Sequence, residues 1–135
     1  MQAELIQGAV NGSTISASSV NALGVTLTHN SGAPWIIEAF AISYNGATPL
    51  QAGALVQLFD SQHSRYFVSG QISLGAVGFP RSGAAVLSVA PILWKSIRPM
   101  QLLSGQSVQL YVSTDSGTTF AANDLCLLMR GYQEV

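Results

Sequence analysis

Alternation with a period of two limits this chain to β-structure. The segment at 107–113 reads SVQLYVS, and VTLTH at 25–29 and ALVQLFD at 54–60 repeat the same period. Such alternation places successive side chains on opposite faces of a strand. No segment keeps apolar residues at helical spacing for three turns, so the sequence predicts an all-β fold.

Turn-forming residues divide the chain into eight candidate strands. Asn30-Ser31-Gly32, Asn45-Gly46 and Asp115-Ser116-Gly117 supply residues that favour turns. Eight short strands joined by Gly- and Pro-rich links predict an eight-stranded jelly-roll-like β-sandwich. The predicted strands are Glu4–Val10, Val25–His29, Trp35–Tyr44, Ala54–Asp60, Arg65–Leu74, Ala84–Ala90, Ser107–Ser113 and Leu125–Tyr132.

The length of 135 residues fits a single domain. We expect residues 1–24 to form an N-terminal strand and a small-residue arm or loop, and residues 25–135 to form the body of the sandwich. Asn11–Gly24 is rich in Ser, Asn and Ala and is either a long loop or an arm lying on a neighbour. Gly75–Gly83 is a predicted loop. Pro91–Gly105 contains two prolines and is predicted to be an irregular crossover with one helical turn.

Charge is unusually scarce, at 8% of residues against about 25% in ordinary soluble domains. The formal net charge is −1. A nucleic-acid-binding protein needs a basic stripe and a membrane-surface module needs a polybasic segment, so the charge argues against both classes. Because a dispersed monomer needs surface charge, we expect much of this surface to be covered by other subunits.

The segment WIIEAFAISY at 35–44 is apolar on both faces except for Glu38. A strand with this pattern is covered on two sides. In a single sandwich only one face of each sheet meets the core, so the other face needs a second cover. Either the Pro91–Gly105 crossover or a neighbouring subunit could supply that cover.

Two histidines and six carboxylates are the candidate catalytic groups. Asp60, His63 and Arg65 could bind a ligand, but a solvated hairpin tip gives the same pattern. Asp115 and Asp124 could approach each other as a glycosidase pair does, but each fits better as an acceptor for turn amides. No nucleophile elbow, phosphate-binding loop or dinucleotide fingerprint occurs. We therefore predict that the protein is not an enzyme.

The sequence also predicts no metal site and no cofactor. Cys126 is the single cysteine, which excludes a zinc site built on cysteines and an intrachain disulfide. It alternates with Leu125 and Leu127, which predicts a buried small hydrophobe. No run of Asp and Asn offers calcium ligands.

Several loose patterns follow one another in a set order along residues 25–132. They are a Trp-x-x-Glu-Ala opening at Trp35, Glu38 and Ala39, an apolar strand ending in Asp60, LLSGQS at 102–107 before VQLYV at 108–112, and an acidic turn with Asp115 and Asp124. This order resembles small jelly-roll virion proteins of tailed bacteriophages, which act as head-decoration, head-fibre-base or neck and tail accessory components. The resemblance implies a non-enzymatic structural subunit of the virion, made in the host cytoplasm and commonly oligomeric about a symmetry axis.

Taken with the low charge, the resemblance predicts a homo-oligomer, for which a trimer is the expected form. We expect it to bind other virion proteins as well, but neither nucleic acid nor a membrane. The interfaces would bury apolar and amide-rich surface. The candidate interface residues are Ile15, Val20, Phe79, Trp94, Ile97 and Met100, and packing within the chain is the alternative for each.

A carbohydrate-binding, lectin-like module for host attachment is the alternative function, because jelly rolls carry out both roles. Six aromatic side chains could form a sugar-stacking platform: Trp35, Tyr44, Tyr66, Trp94, Tyr111 and Tyr132. Glycan binding that is lost on Trp94→Ala or Tyr66→Ala would favour this alternative.

Overall fold

A computed structural model of the chain describes residues 2–30, 32–44, 54–61, 65–66, 72–73 and 94–134. Every regular element within these ranges is a β-strand. The strands are β1 (Gln2–Val10), β2 (Ala22–Thr28), β3 (Trp35–Tyr44), β4 (Ala54–Asp60), β5 (Arg65–Tyr66), β6 (Ile72–Ser73), β7 (Lys95–Leu102), β8 (Ser107–Thr114) and β9 (Leu125–Glu134).

The strands form two antiparallel sheets. The first sheet has the order β1-β9-β3-β7, and the second has the order β2-β8-β4-β5 with β6 also paired to β4. Their inner faces share one apolar core, to which the first sheet contributes Ile37 and Leu127 and the second contributes Val56 and Leu110. The fold is therefore an all-β sandwich, as the period-two alternation predicts.

Six of the eight predicted strands lie within three residues of their expected bounds. In β8, buried and half-buried residues alternate without a break, which is why its sequence pattern was informative. The predicted strand Arg65–Leu74 contains two short strands, β5 and β6, and both pair with β4. The predicted strand Ala84–Ala90 lies outside the described residues.

The prediction of an irregular crossover at Pro91–Gly105 is wrong over much of its length, because Lys95–Leu102 is strand β7. Proline has no backbone N–H, so it is expected only at edges and bulges of a sheet. β7 is such an edge strand. Pro99 also lies at the break in the register between β7 and β3, which falls between the pairs Ala39↔Ser96 and Ile37↔Met100.

A β-bulge changes which side chains of β3 face the core. Ile37 and Ala39 pair with the consecutive residues Gly131 and Arg130 of β9, so Glu38 between them is the extra residue of the bulge. An extra residue reverses the inward-facing set, so Ile37 faces the core before the bulge and Phe40 faces it afterwards. Both faces of β3 are buried only from Ala39 to Ile42. The apolar pattern on both faces thus reflects a switch of face as well as two-sided burial.

Gly131 on β9 makes room for this bulge. A β-carbon built on Gly131 would overlap the carbonyl of Ile36 and lie 3.0 Å from Ile37 Cα. The backbone of β3 therefore occupies the space that a side chain at position 131 would need.

The loop after β1 folds back onto its own chain. Asn11 is fully buried; its Nδ2 donates to Ala121 O at 2.8 Å, and its Oδ1 accepts from Leu125 N at 2.8 Å. Farther along the loop, Ile15 forms a backbone bridge with Phe120. Asn11 and Ile15 together hold the loop against the segment that precedes β9.

Candidate interaction surfaces

The outward face of the second sheet has no charged side chain among the residues whose side chains are described. Register across β2, β8 and β4 assigns alternate residues to the core and to the outside. The described outward residues are Leu23, Thr26, Thr28, Leu55, Gln57, Phe59, Ser107, Gln109, Tyr111 and Ser113. We call this set the neutral face. Protein surfaces usually carry about 25–35% charged residues, so this face is distinctive.

An aromatic pair lies within the neutral face. The rings of Phe59 and Tyr111 meet edge to face, with centroids 6.3 Å apart and planes at 87°. The Tyr111 hydroxyl donates to Gln109 Oε1 at 3.3 Å, while Leu23 is 51% exposed and Leu55 is 38% exposed. This face therefore offers apolar contact and uncharged hydrogen-bonding groups. It can be buried without the desolvation cost that ions impose.

The outward face of the first sheet has an apolar part and a charged part. Along β1, Ile6 is 55% exposed and Val10 is 44% exposed. Nearer β7, the guanidinium of Arg130 lies 4.8 Å from the ring centroid of Trp94, which is a cation–π distance. Glu38 is also exposed. Any partner that binds the charged part of this face would have to pair with or solvate Arg130 and Glu38.

Three of the six predicted interface residues contribute to the core of the protein itself. Ile15 and Met100 are 4% and 6% exposed and belong to the core cluster. Ile97 is half-buried and packs against the same cluster. In this structure their side chains have little surface to offer another subunit.

The other predicted interface residues do not form one cluster. Val20 is 85% exposed in the loop before β2. Trp94 is half-buried, with Arg130 over its ring. Phe79 lies outside the described residues.

His29 has a structural environment rather than a catalytic one. Its side chain is fully buried and stacks on Trp35. We assign its proton to Nε2, because this nitrogen lies 2.8 Å from the carbonyl oxygen of Ala33, whereas the buried Nδ1 has no hydrogen-bond partner among the described residues. The ring thus joins the end of β2 to the start of β3.

The carboxylates of the last loop accept hydrogen bonds from turn amides, as predicted. Asp115 Oδ1 accepts from Gly117 N, and Asp124 Oδ2 accepts from Ala121 N, both at 2.9 Å. The pKa of Asp115 is lowered, first by the Thr118 hydroxyl and then by the Gly117 amide. Within the described part of the chain Thr118 Oγ1 has no hydrogen-bond partner, so Gly117 N–H is the direct donor to the carboxylate and the hydroxyl acts as a nearby dipole.

The predicted polar trio of Asp60, His63 and Arg65 is described only in part. Asp60 is fully buried at the end of β4; His63 and the side chain of Arg65 lie outside the described residues. Within the described part of the chain, no three His, Cys, Asp or Glu side chains are grouped to hold a metal ion. The described ranges also contain no helix long and apolar enough to cross a membrane.

Cys126 differs from its prediction as a buried residue. Leu125, Leu127 and Met129 occupy the core face of β9, so Cys126 lies on the opposite face and is half-buried there. Desolvation in this position raises the pKa of its thiol.

The neutral face was not among the sequence-based candidates, which lie mainly in loops and the Pro91–Gly105 segment. Its signal was nevertheless present in the sequence. The polar positions that alternate with the core residues of β8 are Gln109, Tyr111 and Ser113, and none is charged. Attention to the kind of polar residue, as well as to its spacing, would have found this surface.

No protein-family model matches this chain, and no curated protein matches it significantly. The functional interpretation therefore depends on the surfaces described above.

Proposed function

We propose that this protein is a structural subunit of a bacteriophage virion, serving as a capsid-decoration or head or tail accessory component. It works by joining copies of itself and the surface of the capsid or tail. The neutral face is the observation that carries this proposal. Burial of the exposed leucines on an uncharged sheet face is favourable, because it removes apolar surface from water.

The strand pairing supports the finer assignment of the fold as a jelly roll. If β5 and β6 count as one interrupted strand, β1 pairs with β9, β2 with β8, β3 with β7, and β4 with the interrupted strand. This nested pairing is that of a long hairpin rolled into two sheets, which is the eight-stranded jelly-roll arrangement. Virion subunits of the resembled family are expected to have this fold.

The energetics of the neutral face fit an assembly role. A stable interface of standard size covers about 800 Å² on each partner. Removing a charged group from water costs several kcal/mol unless it is well paired, and the described neutral face has none to remove. Its Gln, Ser and Thr side chains can instead exchange water for amide and hydroxyl partners across an interface.

Light scattering coupled to size-exclusion chromatography on the isolated chain tests the assembly role. We expect a defined oligomer that persists from low salt to about 1 M salt, because uncharged contacts are not screened. A protein that stays monomeric at high concentration would contradict the proposal. An oligomer that dissociates as salt rises would contradict the uncharged interface.

A lectin-like function is the second candidate, favoured by the aromatic pair on the neutral face. Sugars stack on aromatic rings and hydrogen-bond to amides, and Phe59, Tyr111 and Gln109 supply both kinds of group on one surface. A glycan array probed with wild-type protein and Tyr111→Ala would test this function, with Trp94→Ala as a comparison on the other sheet. Binding lost only in Tyr111→Ala would favour the lectin; no binding to any glycan would exclude it.

A further inference from the structure

Among the described strands, β1 is a sheet edge without the usual protection. Within the described residues it pairs with β9 alone, in a register that runs without interruption from Gln2↔Glu134 to Val10↔Cys126. Proteins usually protect edge strands with proline, lysine, a bulge or a short length. β1 is nine residues long and has none of these, and Glu4 is its single charged residue.

The direction of the free hydrogen-bonding groups follows from one contact. Asn11 N donates to Leu125 O at 3.2 Å, one step beyond the last residue pair of β1 and β9. Backbone groups in an antiparallel pair alternate between the partner and the open side. Odd-numbered residues of β1 therefore bond to β9. The even-numbered residues that direct their N–H and C=O groups to the open edge are Gln2, Glu4, Ile6, Gly8 and Val10.

The same even-numbered residues carry the exposed apolar side chains of β1. Ile6 is 55% exposed and Val10 is 44% exposed on the outward face of the first sheet. The edge thus combines unpaired backbone groups with apolar side chains. A β-strand satisfies both requirements at once, because it supplies the missing hydrogen bonds and covers the side chains beside them.

We propose that β1 pairs antiparallel with β1 of a second copy across a two-fold axis, joining two four-stranded sheets into one sheet of eight strands. The edge is complementary to itself. With Ile6 opposite Ile6 of the second copy, Glu4 lies opposite Gly8, so the two carboxylates do not face each other. Like charges directly opposite would destabilise the pair. This inference rests on the proposed function, since it names one partner of the assembling subunit.

The symmetry of this contact differs from that of the trimer expected from the sequence. Two identical antiparallel edges pair in a closed two-fold arrangement, so β1 pairing alone gives a dimer. A trimer requires another surface, for which the neutral face is available. The species seen by light scattering therefore distinguishes the two arrangements.

Hydrogen exchange followed by NMR on the full chain gives a test that needs no mutation. At high protein concentration we expect protected amides at Glu4, Ile6, Gly8 and Val10, and loss of that protection on dilution. Amides of Leu5, Gln7 and Ala9 bond to β9 and should stay protected at both concentrations. Even-numbered amides that exchange freely in the oligomer would overturn β1 pairing while leaving an assembling subunit intact.

A matched pair of variants tests the same edge through the molar mass of the oligomer, measured by light scattering. Ile6→Lys places like charges at the centre of the proposed contact, and we expect the mass to halve. Leu103→Lys is the control, because it also adds a lysine at an exposed apolar side chain, one that is 42% exposed in the loop after β7 and outside both β1 and the neutral face. A wild-type trimer, a dimer that survives Ile6→Lys, or one lost only in Leu103→Lys would each overturn the inference. A monomeric wild type would contradict the proposed function as well.

A disulfide cross-link identifies the occupant of the edge. Ile6→Cys in a Cys126→Ser background places two thiols across the axis, where opposing Cα atoms of a sheet are about 5.5 Å apart and a disulfide can form. Covalent dimers of this chain on oxidation are expected. If the purified protein does not cross-link and a strand from another protein protects the edge amides, β1 binds that protein and the self-pairing inference is wrong.

Discussion

The imidazole of His29 stacks on the indole of Trp35, with ring centroids 4.1 Å apart and planes within 10° of parallel. Its Nε2 donates to Ala33 O at 2.8 Å, and Gln133 Nε2 donates to the same oxygen at 3.0 Å. The stacked ring fills core space, while the Ala33 carbonyl has two donors. The packing and the hydrogen bond can therefore be separated by mutation.

We expect His29→Ala to lower the free energy of unfolding by about 3 kcal/mol, because it removes a fully buried ring and leaves a cavity. His29→Phe should cost less than about 1 kcal/mol, since the stack remains and Gln133 still supplies a donor to Ala33 O. Urea denaturation of both variants measures the difference. Equal losses would show that the hydrogen bond, and not the ring, is what matters at this position.

Gly131→Ala should prevent folding or cost more than about 3 kcal/mol, because the added β-carbon overlaps the Ile36 carbonyl and the backbone cannot move aside cheaply. Gly12→Ala is the matched control. A β-carbon at position 12 meets nothing within 4 Å, so its effect should be within about 0.5 kcal/mol. Thermal unfolding of the two variants compares them directly. A stable Gly131→Ala protein would mean that β3 has no such close approach.

Asn11→Ala should cost about 1–3 kcal/mol, because it leaves the buried amide of Leu125 without its acceptor. The carbonyl of Ala121 keeps the amide of Asp124 as a donor. Asn30→Ala serves as a control, since Asn30 is an exposed asparagine. Hydrogen exchange should show the loss first at the Leu125 amide. Unchanged protection of that amide in Asn11→Ala would contradict a role for Asn11 in fixing the loop after β1.

Cys126 should react slowly with thiol reagents in the folded protein at neutral pH, because burial raises the pKa of its thiol above the ordinary value of 9.0. The thiolate is the reactive form, so the rate should still be rising with pH where that of a free thiol has levelled off. Labelling kinetics over a pH series, with protein unfolded in urea as the reference, measure this effect. Folded and unfolded chains that react with the same pH profile would refute it.

The sequence determined those strands whose side chains alternate regularly. Ser107–Ser113 could be identified because every second residue enters the core, and the observed β8 extends it by one residue. β7 could not be identified, because Pro99 and the register break near it remove the period of two from Lys95–Leu102. Such an edge strand is recognised by its pairing with a neighbouring strand, here β3. The sequence of the segment alone does not show that pairing.

The candidate surfaces were harder to predict than the strands. Ile15 and Met100 are apolar residues in segments that the sequence predicts to be irregular, but the sandwich buries their side chains. The neutral face combines residues from β2, β4 and β8. Only the pairing of those strands brings Leu23 beside Tyr111, so spacing along the chain could not assemble that surface.

The place of β9 between β1 and β3 has a consequence for synthesis of the protein. β9 is the last of the described strands to leave the ribosome, yet it is a hydrogen-bonded neighbour of β3 and the partner strand of β1 within the described part of the chain. Until it emerges, Ile6 and its neighbours in β1 lack their partner strand, and contacts this distant in sequence form slowly. A nascent chain is thus open to mispairing with other nascent chains for most of its translation, and we expect its yield to depend on chaperones that shield that early strand.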